Sequence, residues 1–346
     1  MPTYTVAEVQ AGFKVHPELL IRTEVIYEDN AASKSDPKNN ATLNKVVDKK
    51  FISISINNST TELNNSVLLT PDFSICDECI DLCTDIIQEE LAPLLIGQDG
   101  SAIERLWEIA RPATWDILRD RRLGLVACAS IDVTLWDLMG KALGVPLWKL
   151  WGGYRSRVPV ITIGGYYGSN LTIKEEVEYL LKEEFAGMKF KIGGLTPKED
   201  AKRFKEARKY GGDNFRIAVD ANQGYNLEEF KRFIKATEKV GVEVLEQPLV
   251  VGEEAFLLAL DDQIRKLLVA DESLKNSKAA LALAQSPHLF GIFNIKLMKC
   301  GGILNAFEIA TIAKNADIEL FWGCNDESIV CITAALHAAF ACPTTR

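Results

Sequence analysis

The chain has 346 residues, 47% hydrophobic and 25% charged, with a formal net charge of -9, which suits a globular protein with ample material for a core. The diffuse acidity excludes nucleic acid as the main partner, because phosphate binding needs clustered positive charge. With no apolar run of about 18 residues, and no charged and apolar leader in MPTYTVAEVQ, neither a membrane span nor secretion is expected, and the expected location is cytoplasmic.

Residues 28–66 are rich in Asn, Ser, Lys and Asp around one strand-like run, FISISI, and read as a partly disordered surface stretch enclosing a short strand. Cys76, Cys79 and Cys83 fall on one face of a helix with no fourth ligand nearby, so buried thiols are favoured over a metal site. From about residue 72 to 150 the pattern is helical. The segment 125–144, LVACASIDVTLWDLMGKALG, carries apolar residues at helical spacing and stops at a glycine shortly before Pro146. Residues 1–124 are therefore expected to form an α+β capping domain, and residues 125–346 a catalytic domain.

From residue 158 onward short apolar runs alternate with helix-like segments. Strands are expected at 158–163, 188–192, 215–219, 242–245, 267–270, 291–295 and 318–321, an α/β pattern that implies a parallel sheet covered by helices. A doubly wound open sheet would carry a G-x-G-x-x-G turn after its first strand, and there is none. The charged residues are instead spread over successive strand ends, as in a (β/α) barrel of the TIM type. Seven strands can be counted where eight are needed. The expectation is a barrel lacking its eighth strand, whose two open edges favour instability or pairing with a second chain, as in a homo-oligomer.

Five charges mark those strand ends: Lys191, Asp220, Glu246, Asp271 and Lys296, spaced 29, 26, 25 and 25 residues apart. That interval is one strand, one helix and two loops. Three acids brought together repel unless a cation or lysines compensate, and an all-carboxylate donor set suits Mg²⁺ better than Zn²⁺. Asn222 lies two residues beyond Asp220, and Glu272 is next to Asp271, so both are candidates for supporting the cluster. Lys189 shares a strand face with Lys191. A lysine beside a second ammonium and a divalent cation should titrate closer to neutrality and serve as a base.

With these residues in place, the chain resembles the enolase superfamily in its muconate-lactonizing and dipeptide-epimerase branch, the mandelate racemase/muconate lactonizing enzyme family. The resemblance covers about residues 123–342 and rests on LVACASIDVTLWDLMGKALGVPLWKLWGG, K-F-K, VDANQG, LEQP, ADES, NIKLMKCGG and WGCNDES. It implies that Asp220, Glu246 and Asp271 bind Mg²⁺ and that the metal holds a substrate carboxylate. Lys191 and Lys296 would then face each other across the α-carbon. One removes the α-proton, Lys189 helps stabilise the enediolate, and the other lysine returns a proton from the opposite side. That is racemisation or epimerisation of a small-molecule carboxylate, with a dipeptide favoured as substrate. N-acylamino-acid racemases, cycloisomerases and acid dehydratases share the same core, and an inactive, truncated metal-binding fragment is a third reading. Glu327 in WGCNDES corresponds to the seventh-strand acid that orients substrate or a lysine. Asp326 before it departs from the more usual apolar residue.

Overall fold

The computed structural model describes residues 19–27, 50–58, 61–63, 66–67, 83, 85–115, 123–325 and 327–346. Strands β1 (Leu19–Tyr27), β2 (Lys50–Asn58), β3 (Thr61–Leu63) and β4 (Ser66–Val67) form an antiparallel sheet in which β2 pairs with the other three. The FISISI run thus lies within β2. Of the stretch expected to be partly disordered, residues 28–49, 59–60 and 64–65 lie outside the described residues, as do Cys76, Cys79 and Asp326.

A helical layer follows. Two short helical turns over 86–95 lead to α1 (Ile103–Trp115) and α2 (Leu123–Leu143). Leu91, Leu95, Leu106 and Trp107 pack against Ala127, Cys128, Ile131 and Leu135 of α2. Ala127 and Ala129 are fully buried, and their small side chains allow the close helix approach expected from the sequence. After α2 the chain turns at Gly144, whose φ of 65° lies in the left-handed region that favours glycine at a helix end.

The rest of the chain alternates strand and helix. Strands β5 (Thr162–Gly164), β6 (Gly187–Lys191), β7 (Arg216–Asp220), β8 (Val244–Glu246), β9 (Leu268–Ala270), β10 (Ile292–Ile295) and β11 (Glu319–Trp322) form one sheet. They lie side by side in chain order and every pairing is parallel. The longer covering helices are α3 (Ile173–Lys182), α4 (Pro197–Gly211), α5 (Leu227–Thr237), α6 (Ser277–Leu283), α7 (Ile303–Asn315) and α8 (Ile329–Ala341). Each of α3, α4 and α5 starts with a reciprocal capping box: Thr172 with Glu175, Thr196 with Glu199, and Asn226 with Glu229. These boxes satisfy otherwise orphaned backbone N–H groups and fix where each loop after a strand must end.

Along β6 the alternation is plain. Met188 and Phe190 are fully buried in the main core with Phe204, Ile217 and Phe233, while Lys189 and Lys191 point to the other face and reach the carboxylates of β7 and β8. Among the described residues the sheet has the seven strands read from the sequence. Beyond them, Thr345 forms a parallel bridge with Leu320 of β11. The backbone N–H of Leu320 donates to the Thr344 carbonyl, and that of Arg346 donates to the Leu320 carbonyl, both at 2.9 Å. No helix among the described residues is long and apolar enough to cross a membrane.

Candidate active site

Parallel pairing of neighbours in chain order puts the C-terminal ends of β6 to β10 side by side. Lys191 is in register with Asp220, and Asp220 with Glu246. Asp271 directly follows β9 and Lys296 directly follows β10. The order across the sheet is therefore Lys191, Asp220, Glu246, Asp271, Lys296, with the acids in the middle. Asp220, Glu246 and Asp271 are 1%, 1% and 2% exposed, so their charge is compensated by one another's partners or by a bound cation rather than by water.

The lysines supply partners. Lys191 Nζ donates to Asp220 Oδ2 at 2.8 Å and to Asn222 Oδ1 at 2.6 Å. Lys189 Nζ donates to both carboxylate oxygens of Glu246 at 3.0 Å and lies 3.5 Å from Asp220 Oδ2. Lys296 Nζ donates to Asp271 Oδ2 at 2.7 Å. Asn222 is brought in as the sequence suggested: its backbone N–H donates to Asp220 Oδ1 and its amide to Glu272 Oε1 at 3.2 Å. Asn222 and Gln223 both hold positive φ, 41° and 67°, a costly backbone for non-glycine residues that is concentrated beside the charge cluster. Glu327 is buried, accepts from the Asn325 backbone N–H and leaves Oε2 without a hydrogen-bond partner.

Electrostatics separate these groups. Burial raises Glu246, Lys189 opposes that, and the neighbouring charges of Asp220 and Asp271 add to it, so its carboxyl is pushed up to about 7. Burial alone would also raise Asp271, but Lys299 and Lys296 hold it far below the usual carboxylate range. At Lys296 two effects compete. Burial favours its neutral form, yet the Asp271 carboxylate outweighs burial and raises it. Lys189 is raised in the same way, burial being outweighed by Glu246 and Asp220. Burial does lower Lys299. Carboxylates paired directly to the ammonium groups favour their charged forms.

The donor set fits a hard divalent cation in type: three carboxylates on adjacent strands, close enough to raise Glu246 by mutual repulsion, with no thiol or imidazole among them. As the side chains stand, their oxygens are turned towards lysines, and among the described residues no three acidic, His or Cys side chains converge on one point. Seating an ion would require Lys189 or Lys296 to yield a carboxylate oxygen.

Three participants were not picked out from the sequence. Lys299 is 4% exposed, and its Nζ donates to Asp271 Oδ1 at 2.6 Å, to the Asp271 carbonyl at 2.8 Å and to the Asn294 carbonyl at 2.9 Å. Asn294 Nδ2 donates to Glu246 Oε1 at 2.9 Å. Gln247 Oε1 accepts from the backbone N–H groups of Asp271 and Ser273, at 3.0 and 3.2 Å. Asn294 was findable, since it lies two residues before Lys296 and so on the same strand face.

Residues 172–346 match the family model described as enolase C-terminal domain-like, and residues 42–152 match the N-terminal domain model of mandelate racemase / muconate lactonizing enzyme. The chain therefore belongs to the mandelate racemase/muconate lactonizing enzyme family of the enolase superfamily. It is 37% identical over 300 residues to an L-Lys-D/L-Arg epimerase of Desulforapulum autotrophicum, covering 87% of this chain and 81% of that one. It is 32% identical to a chloromuconate cycloisomerase of Pseudomonas sp., over 75% of this chain and 68% of the relative. The solved structure of a dipeptide epimerase from Methylococcus capsulatus, complexed with Mg and the dipeptide L-Arg-D-Lys, superposes with a TM-score of 0.74 at 31% identity. That match covers 95% of this chain and 88% of the other.

Proposed function

We propose that this chain is a Mg²⁺-dependent epimerase that inverts the α-carbon of a dipeptide residue through an enediolate. The observation that carries the reading is the order of charges across the sheet: three buried carboxylates flanked on either side by Lys191 and Lys296. Two bases on opposite sides of one carbon allow a proton to leave one face and return to the other, which is inversion. A cofactor-free arrangement would leave the dianionic character of an enediolate uncompensated; Mg²⁺ held by Asp220, Glu246 and Asp271 supplies that positive charge when bound. One of Lys191 and Lys296, as the free amine, takes the α-proton while the other, as the ammonium, gives one to the opposite face, and each must first part from Asp220 or Asp271 to do so. Lys189 holds Glu246 in place, and Asn222 tethers Lys191 to the cluster. The dipeptide class is supported by similarity to the L-Lys-D/L-Arg epimerase and to the dipeptide epimerase structure.

The test is to incubate the protein with Mg²⁺ in D₂O with L-Lys-L-Arg, L-Lys-D-Arg and L-Ala-L-Glu, following mass and stereochemistry. One α-deuterium in an inverted product is the expected result. Loss of water from acid sugars, or ring closure of a muconate, would instead assign elimination or cycloisomerisation. Absence of exchange in every pool, with folded and Mg²⁺-loaded protein, would sink the enzymatic reading.

A further inference from the structure

Behind Lys191, on the helix side of β6, four side chains form a network that the charge ladder does not include. Arg203 of α4 donates from Nη1 to the carbonyl of Lys191 at 3.1 Å and from Nη2 to the carbonyl of Gly165 at 2.5 Å. One guanidinium thus ties the end of β6 to the residue that follows β5. Its plane is sandwiched between aromatic rings, with Cζ 4.4 Å from the Tyr167 ring centre and 4.8 Å from that of Phe190. Phe190 is the buried, helix-facing residue between Lys189 and Lys191.

Asp200, one turn earlier on α4 and fully buried, anchors the arrangement. Its Oδ1 accepts from Tyr167 Oη at 2.8 Å and from Arg203 Nη1 at 3.3 Å. Its Oδ2 accepts from Tyr225 Oη at 2.7 Å and from the Gly193 backbone N–H at 2.8 Å. Tyr167 Oη in turn accepts from the Gly194 N–H at 2.8 Å. Burial pushes Tyr167 up to about 12 and raises Tyr225 as well, so both phenols keep their protons and act as donors at neutral pH. The loop that leaves Lys191 is therefore pinned at 191, 193 and 194. Gly193 has φ 88°, and a Cβ there would meet the Ala221 carbonyl oxygen at 2.8 Å, so the loop lies hard against the end of β7.

We infer that Arg203, seated by Asp200 and Tyr167, is a positioning residue for Lys191: it sets the height of that lysine's strand end against Asp220, so that one of the two opposed bases is aimed independently of the other. The assignment of Lys191 as a base rests on the function proposed above, whereas the mechanical part does not. A lysine in place of Arg203 keeps the charge beside Asp200 but cannot reach two carbonyls at once. Nothing in the network touches Lys296, whose contacts come from Asp271.

The experiment uses Arg203→Lys in the full chain, with two readouts. In its crystal structure the Lys191 Nζ to Asp220 Oδ2 contact, 2.8 Å in the unmodified protein, should lengthen and the loop at 193–194 should shift. An unmoved Lys191 overturns the inference whether or not the protein turns over. In D₂O, exchange from the stereoisomer that Lys191→Ala impairs more should fall about tenfold to a hundredfold, while the isomer that Lys296→Ala impairs more keeps its rate within about twofold. Equal losses from both isomers would mean a merely structural part and overturn it. If Arg203→Lys does not fold, Tyr167→Phe, which removes the phenol shared by Asp200 and Gly194, is read in the same two ways with a smaller effect of the same sense. Lack of exchange in the unmodified protein refutes the proposed reaction and leaves the crystallographic comparison to decide the positioning.

Discussion

Lys191 and Lys296 end equivalent strands, yet they are mounted differently. Lys191 is partly exposed, shares its proton donors between Asp220 and the exposed Asn222, and is braced from behind by Arg203 through its backbone. Lys296 is 9% exposed, among the described residues is paired to Asp271, and shares that carboxylate with the buried Lys299. One lysine is held through its main chain by a network on the helix side. The other is held through its side chain by a crowded charge cluster. The difference teaches that pseudo-symmetric chemistry does not need symmetric support, and that the two sides should respond differently to substitution.

The sharpest break of this comparison is removal of either lysine. Lys191→Ala and Lys296→Ala should each lower α-exchange by about 10²- to 10⁴-fold, with opposite stereochemical bias when both dipeptide isomers are followed. The same bias in both variants would show that the two lysines do not stand on opposite faces. Next is Lys299→Met, which leaves the Asp271 carboxylate buried with one ammonium fewer. Loss of one partner from a buried pair costs about 3–5 kcal/mol, and a fall of that size in the unfolding free energy from urea titration is expected. No comparable loss is expected from Asn222→Ala on the exposed Lys191 side.

A smaller effect comes from Asp132 of α2, whose Oδ2 accepts from the Ile303 backbone N–H at the start of α7. Burial raises its carboxyl from 3.8 to about 7, against the lowering effect of the Ile303 and Leu304 N–H groups. Between those two values the folded chain keeps a proton that the unfolded chain releases, so this group makes the fold less stable as pH rises from about 4 to 7, and adds no further change above that. Asp132→Asn should flatten that decline by an amount on the order of 4 kcal/mol, checked by urea unfolding at several pH values. An unchanged slope would mean that Asp132 is ionised throughout. Smallest is Tyr225→Phe on the Lys191 side. It removes one of the donors to Asp200 and should cost about 1 kcal/mol in a thermal unfolding scan, with no change in Lys296-dependent exchange.

The strands and their charged ends were legible because each acid or lysine follows a short apolar run, and a parallel sheet buried on both faces writes itself that way. Asp220, Glu246 and Asp271 are all buried at neighbouring strand ends, and Lys189 stands among them. What could not be read was which ammonium pairs with which carboxylate. Lys299 lies on a short helical turn, and only the close return of that turn to β9 and β10 brings its Nζ to Asp271. Arg203 was illegible for a similar reason: on α4 it looks like one of several surface cations, and the packing of α4 on β6 is what turns it towards two carbonyls.

The helices that precede the parallel sheet also reach the turn behind Lys296. Trp107 Nε1 donates to the Gly301 carbonyl at 3.1 Å, and Asp132 holds the Ile303 N–H two residues on. A Cβ at Gly302, whose φ is 119°, would meet Asp132 Oδ2 at 2.5 Å, so that turn is fitted closely against α2. For anyone dissecting the gene, the gap between the two family matches at residues 152 and 172 is an inviting place to cut. The parallel-sheet part expressed from there would carry every charged strand end and yet lack the wedge that sets the turn after Lys296. The upstream helices are scaffolding for the turn that follows Lys296, and the two halves of the coding sequence should be inherited, swapped or engineered together.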